Sequence, residues 1–468
     1  MYIVVVDRPV PAGRRYVTKT TPIAMPSGEK VQLALIVHKD AGRNRSTRSY
    51  LTHIGVSLRS ANQKASTYDT RIKLEELFDI VPSSLECEHV TTGTNRDNLA
   101  HLLTTRSGDV VAVQSEVAAS VLDSIARLRP GMGAVIDWLE ALRNSDELGF
   151  TEREILWREH RDAINLGLRI GGFSSTPLRA WRRPSNNQPF VAGVVPYPRP
   201  RTLESNPSAS PTQIELPGEG YEQSATGREE LYHPRLAGLA NPTEPRLIDH
   251  DARAFPGWSR QRTPEMHVHV FADGNRRMEI INIDASGVEA RTGADLIYYH
   301  VNTESFVLVQ YKRLVGRSYP VDERLVDQLN RMERLAKLNR NPTRPHEWRI
   351  GPEFSFLKLA DIKQKNVPPD RLVNGLYLST SYTRMLLAEN LTRLGYDSVE
   401  RHLSNQQFID LVAHGLIGTV GVSVEQIRDI ITGLLDNGES VVIAKDVSNE
   451  TLTERQRRRR SRSATPAR

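Results

Sequence analysis

Residues 288–314, VEARTGADLIYYHVNTESFVLVQYKRL, decide how the rest of the chain is read. Asp295 stands just ahead of the short apolar run LIYY, the turn-like segment HVNTES follows, and a second apolar run, FVLVQYKRL, sets Gln310 and Lys312 two residues apart. Alternate residues of a strand share a face. Gln310 and Lys312 are therefore expected to project together, with Val309 and Tyr311 on the other side. A hairpin brings Asp295 alongside them, so that a carboxylate, an amide oxygen and an ammonium converge at one end.

That set suits phosphodiester cleavage. A hard divalent cation, Mg²⁺ or Mn²⁺, takes oxygen ligands and keeps several waters. Asp295, the Gln310 amide oxygen and the main-chain carbonyl of Tyr311 are candidate donors. Such an ion polarises a phosphoryl oxygen and acidifies a bound water, while a lysine orients that water or offsets charge on the transition state. The bland alternative is an edge-strand lysine in solvent and a glutamine bonded to neighbouring backbone.

With GAD, a strand-and-turn spacer and then VQYKR, residues 262–345 resemble the D…(E/Q)xK signature of the PD-(D/E)xK nuclease superfamily, in the Gln-for-Glu form of Mrr-type restriction endonucleases. The resemblance implies a restriction-endonuclease-like α/β domain with a mixed central sheet. It implies catalytic roles for Asp295, Gln310 and Lys312, and a metal site at Glu289, Asp295 and Gln310. Glu279 is the other candidate for the upstream acid, and Arg313 is placed to hold a phosphate. Gln310 departs from the usual glutamate and contributes no negative charge, which shifts metal affinity towards Glu289 and the DNA phosphate. The implied activity is a metal-dependent nuclease on double-stranded DNA, in bacterial restriction or anti-phage defence. The rival is a catalytically inactive nuclease fold serving as a nucleic-acid-binding or adaptor protein.

Length and composition frame this reading. The 468 residues allow two or three domains, and 38% hydrophobic with 25% charged residues is the balance of a globular protein. No apolar run approaches the length of a membrane span. MYIVVVDRPV lacks the features of a secretory leader and reads as a first strand. Cys87, the one cysteine, rules out an intramolecular disulfide and a cysteine-based zinc site. A cytoplasmic protein is expected. The net charge of +6 owes much to the arginine-rich end RQRRRRSR, residues 455–462. A disordered tail there, 451–468, is expected to attract polyanions through Arg457, Arg458, Arg459 and Arg460 without reading sequence.

In chain order, YIVVV, VQLALIVH and THIGVSL read as strands, followed by helices over 115–127, 134–143 and 151–166. The last opens with Thr151 and Glu154 in capping-box spacing. An α+β accessory or sensor domain is expected over 1–180, offering a surface for self-association or a partner protein. No phosphate-loop, dinucleotide or nucleophile motif marks it. Proline, serine and asparagine then suggest a partly disordered linker over 181–262, and the nuclease-like domain spans 263–450. His267 and His269 share a strand face, but no third ligand accompanies them. Residues 321–339 form an amphipathic helix with Leu325, Leu329, Met332, Leu335 and Ala336 as its apolar stripe. Its Arg331, Arg334 and Lys337 lie outside that stripe as candidate phosphate contacts. Helices over 381–394, 405–416 and 422–436 and a last strand, ESVVIAKDV, complete the pattern.

Overall fold

The computed structural model describes residues 1–6, 15–17, 31–41, 47–59, 72–104, 110–145, 148–185, 188–198, 265–273, 276–284, 294–364, 367–436, 440–448, 450, 453–455 and 457. Two mixed sheets, each with its own core, organise them.

The first sheet contains β1 (Tyr2–Val6), β2 (Arg15–Val17), β3 (Val31–Ala41), β4 (Thr47–Arg59), β5 (Ile72–Asp79), β6 (Leu85–Glu86) and β7 (Val110–Ala112). The order is β2-β5-β4-β3-β1-β7, with β6 also on β4. Strands β1 and β3 are parallel and β3 and β4 antiparallel. The stretch VQLALIVH, read as a strand, lies in β3, and its alternate residues face opposite ways. Leu33, Leu35 and Val37 face a core with α1 (Thr94–Leu102), α2 (Ser115–Leu128) and α3 (Gly133–Arg143), while Ala34 and Ile36 join an apolar cluster on the opposite face.

Helix α4 (Glu152–Ile170) belongs to the other core. Its capping box forms as its sequence foretells: the Thr151 side chain accepts from the Glu154 amide, and Glu154 bonds back to the Thr151 amide. Buried residues from Leu148 to Phe173, with Leu178, Trp181, Phe190, Val191 and Val194, belong to this core, whereas Ala180 and Val195 pack in the first. The first part of the expected linker is also packed structure. Trp181 is buried, stacks on Phe190 at 5.2 Å and donates from Nε1 to the Phe190 carbonyl at 3.0 Å. Residues 199–264 lie outside the described residues.

The second sheet contains β8 (Glu265–Asp273), β9 (Arg276–Asp284), β10 (Ala294–His300), β11 (Ser305–Arg313), then, beyond the short β12 (Ser318–Pro320), β13 (Ser355–Ala360) and β14 (Gly375–Ser379) and, beyond the short β15 (Arg393–Gly395), β16 (Ser440–Asp446). Its order is β14-β13-β11-β10-β16-β9-β8. Antiparallel β10 and β11 form the expected hairpin, with a turn through Glu304 in the left-handed region at φ 46°. Strand β13 runs parallel to β11, with α5 (Glu323–Leu335) in the connection. On α5 the buried residues are Leu325, Gln328, Leu329 and Met332, whereas Ala336, expected in the stripe, is exposed beyond the end of the helix.

Three further helices are α6 (Thr380–Ala388), α7 (Asn405–Ala413) and α8 (Val424–Asp436). The helix expected to reach 394 stops at Ala388 because Asn390 turns left-handed at φ 58°, and Arg393–Gly395 pairs as a short strand instead. Helices α4 and α7 cover the face that carries Val309 and Tyr311. Gln310 and Lys312 lie on the other face, and α5 meets Lys312 there. Glycine brings α4 close to the sheet: a Cβ at Gly167 would stand 2.5 Å from that of Ala444. Among the described residues no helix is long and apolar enough to cross a membrane.

Candidate functional site

Asp295 and Gln310 are directly opposed in the β10–β11 register, and Lys312 lies two residues further along β11. The backbone thus brings together the three positions singled out in the sequence. Gln310 is 3% and Lys312 6% exposed, so this is a covered strand end and not a solvated edge. The Lys312 ammonium donates to Gln328 Oε1 of α5 and sits 5.5 Å from the centre of the Tyr319 ring. The side chain of Asp295 and all of Glu289 lie outside the described residues.

Two neighbours change the chemistry of this end. Arg313 donates to Glu159 of α4 through Nε and Nη2, and to Glu152 at 2.9 Å. It is therefore matched by two carboxylates, and a phosphate reaching it must displace them. Glu159 is fully buried. Burial pushes its carboxyl up, and Arg313 and Lys312 pull it back down. Glu279 is remote from this end. It pairs with Arg277 at 2.7 Å and Lys445 at 3.5 Å, and its register places it beside Lys445 whereas Asp295 lies beside Val441. Four residues of strand separate the two levels, about 13 Å.

The donors available to a hard cation can be counted. Among the described residues no group of three or more His, Cys, Asp or Glu is placed to hold a metal. The described side chains at the Lys312 end supply the Gln310 amide, the Gln328 oxygen that accepts from Lys312, and the Glu152 and Glu159 carboxylates that Arg313 already holds. The side chain of Asp295 lies outside the described residues, and without it that set does not complete a site for a divalent ion. His267 and His269 are half-buried on β8, with the His269 ring 4.8 Å from that of Phe271.

On the opposite face, Asp162 of α4 is a buried hub that local sequence patterns did not reveal. It accepts from Lys358 Nζ, from the Tyr311 hydroxyl at 3.0 Å and from the Val373 amide at 2.7 Å. Lys358 is fully buried, and burial lowers its pKa while Asp162 opposes the shift. Of the expected phosphate contacts, Arg334, Lys337 and Arg457 are exposed and Arg331 is half-buried; Arg458, Arg459 and Arg460 lie outside the described residues. Arg455 departs from the expected solvated tail. It is 2% exposed and bonded to Asp446 at 2.6 Å and to the Tyr298 hydroxyl at 2.9 Å. A buried carboxylate on β16 is what draws this arginine out of the basic run.

Comparison of the chain with protein-family models, with curated proteins and with solved structures returns no match.

Proposed function

We propose that the chain hydrolyses phosphodiester bonds in nucleic acid at the β10–β11 strand end, with double-stranded DNA as the first substrate to test and Mg²⁺ or Mn²⁺ as the required ion. One observation carries this reading: Asp295 opposes Gln310 in register, with Lys312 next along the same face, in a hairpin followed by a helix and a parallel strand. The resemblance to PD-(D/E)xK nucleases rests on those same three positions.

The roles follow from the residue types. Lys312, steadied by Gln328 and Tyr319, orients the attacking water or offsets charge at phosphorus. Gln310 presents a neutral oxygen, and Asp295 is the carboxylate of the set. The ion, when bound, supplies Lewis acidity. Exposed Arg334 and Lys337 extend a basic surface from α5 and its end. Restriction or anti-phage defence is the setting that the resemblance suggests.

The second reading, a nuclease fold that binds nucleic acid without cutting it, is favoured by the burial of Gln310 and Lys312 and by the capture of Arg313 between Glu152 and Glu159. Incubation of the full chain with plasmid, linear and single-stranded DNA and with RNA, in Mg²⁺, Mn²⁺ or EDTA, separates the two. Cleavage that EDTA abolishes supports the first reading. Metal-independent binding with no cleavage in any arm refutes it and leaves the second.

A further inference from the structure

The loop between α5 and β13 holds two large apolar side chains out in the open. Trp138, Trp157 and Trp181 are at most 2% exposed, whereas Trp348 is 59% and Ile350 61% exposed. Single apolar residues on a surface need no explanation. What distinguishes this pair is how firmly it is held. Arg349, between the two, turns inward at 9% exposure and donates to the Trp348 carbonyl at 3.1 Å and the Thr419 carbonyl at 3.4 Å. The Ile350 amide donates to the Leu416 carbonyl at 2.9 Å. Ahead of the indole, the Glu347 carboxylate accepts from Arg340 at 2.6 Å, from the Thr343 amide at 2.9 Å and from the Arg344 amide at 3.2 Å. The backbone is thus pinned on both sides of Trp348, and a partner that covers the indole has little loop ordering left to offset.

The charge of the same segment indicates what that partner is. Residues 334–350 contain Arg334, Lys337, Arg340, Arg344 and Arg349 against one acid, Glu347, five cations to one anion. Arg334, Lys337, Arg340 and Arg344 are exposed, and Glu347 is occupied by Arg340. Glu333, just before the segment, is held by Arg384 at 2.7 Å, and Glu304 adds a negative charge that reaches Arg340. An apolar protein surface laid on Trp348 and Ile350 would draw these cations out of water with nothing to match them. Nucleic acid carries flat π faces and phosphates along one chain and suits both features. Within a duplex each base is already stacked on its neighbours, so an indole reaches an unpaired one.

We propose that this loop binds unpaired nucleic acid, with a base stacked on Trp348 beside Ile350 and phosphates on Arg344 and Lys337. The inference rests on nucleic acid being the partner of the chain, and it does not depend on cleavage at the Lys312 end.

Fluorescence anisotropy of the full chain in EDTA, with labelled oligothymidylate and oligouridylate of about 12 nucleotides and a blunt duplex of the same length, tests it. Trp348→Ala is expected to weaken both single strands by at least about fivefold and the duplex by less than about twofold, and Trp348→Phe, which keeps a ring, to stay within about threefold of wild type. Arg344→Ala should lower the slope of log affinity against log salt for the single strands by about 0.7. Undiminished single-strand binding by a folded Trp348→Ala, or an equal loss for the duplex, refutes the stacking site and leaves nucleic acid as the partner. An unchanged salt slope refutes the phosphate contact at Arg344. Binding of none of the three refutes both the site and the reading it rests on, and leaves the face to a protein partner. If Trp348→Ala does not fold, quenching of tryptophan emission by oligothymidylate decides: quenching in the wild type that is lost in Trp348→Phe supports the site, and equal quenching in both refutes it.

Discussion

Replacing Asp162 by alanine removes the acceptor of three buried donors at once: the Lys358 ammonium, the Tyr311 hydroxyl and the Val373 amide. Lys358 is 0% exposed, so its charge is left uncompensated in the core. Breaking a buried pair in this way costs about 3–5 kcal/mol, and an unsatisfied amide about 1 more. A loss of about 4–6 kcal/mol is a large share of a typical domain's stability. Lys358→Met alone leaves the carboxylate unpaired by charge and is also costly. In the double variant neither charge is stranded, and its loss should fall at least about 2 kcal/mol short of the sum. The effect of pH has a definite sign. With Asp162 gone, burial alone lowers the folded pKa of Lys358, the unfolded chain binds more protons, and stability rises with pH. The deficit of Asp162→Ala should therefore shrink between about pH 7 and pH 10. Urea unfolding followed by the fluorescence of Trp157 and Trp181, which lie in the same core, measures all of this. A loss below about 1 kcal/mol, or single losses that add to the double within about 0.5 kcal/mol, refutes the hub.

Other consequences concern α4. Gly167→Val places a branched side chain where even a Cβ meets that of Ala444 at 2.5 Å, and a loss of at least about 1–3 kcal/mol is expected in thermal or urea unfolding. The Thr151 hydroxyl and Arg183 hold the Glu154 carboxyl down at about 2. Because that folded pKa is depressed, the stability it contributes is present above the ordinary value of 4.5 and is lost as pH falls towards 2; unfolding curves of wild type and Glu154→Gln should converge over that range. A fragment of residues 262–450 lacks α4 and the buried Trp157, Ile164 and Leu168, so circular dichroism and unfolding should show no cooperative fold, whereas a fragment joining residues 148–198 to it should recover one.

The sequence disclosed most where a pattern is local. Short apolar runs marked β3 and β10, the two-residue spacing of Gln310 and Lys312 gave them one face of β11, and Thr151 with Glu154 marked the start of α4. It was silent where the partner is distant. Nothing in the sequence of α4 marks Glu159 and Asp162 for burial, yet those acids meet Arg313 and Lys358, 154 and 196 residues away. A charged residue is buried when its partner is buried with it, and no window of 20 residues contains that fact. Arg455 shows the same limit from the other side, since one arginine of a basic run was claimed by Asp446. At the candidate site, residue types and spacing gave the juxtaposition of Asp295 and Gln310, but not the cover supplied by Gln328 and Tyr319.

Whether Lys312 makes the strand end catalytic is best decided by one comparison: the single-turnover rate of plasmid cleavage in Mg²⁺ by the full-length wild type against Lys312→Ala, with matching circular dichroism and melting curves. The account predicts metal-dependent cleavage by the wild type and a loss of at least about a hundredfold in the variant, the magnitude expected when a group stabilising charge in the transition state is removed. Equal rates in the two folded proteins, or no cleavage by the wild type, would contradict it.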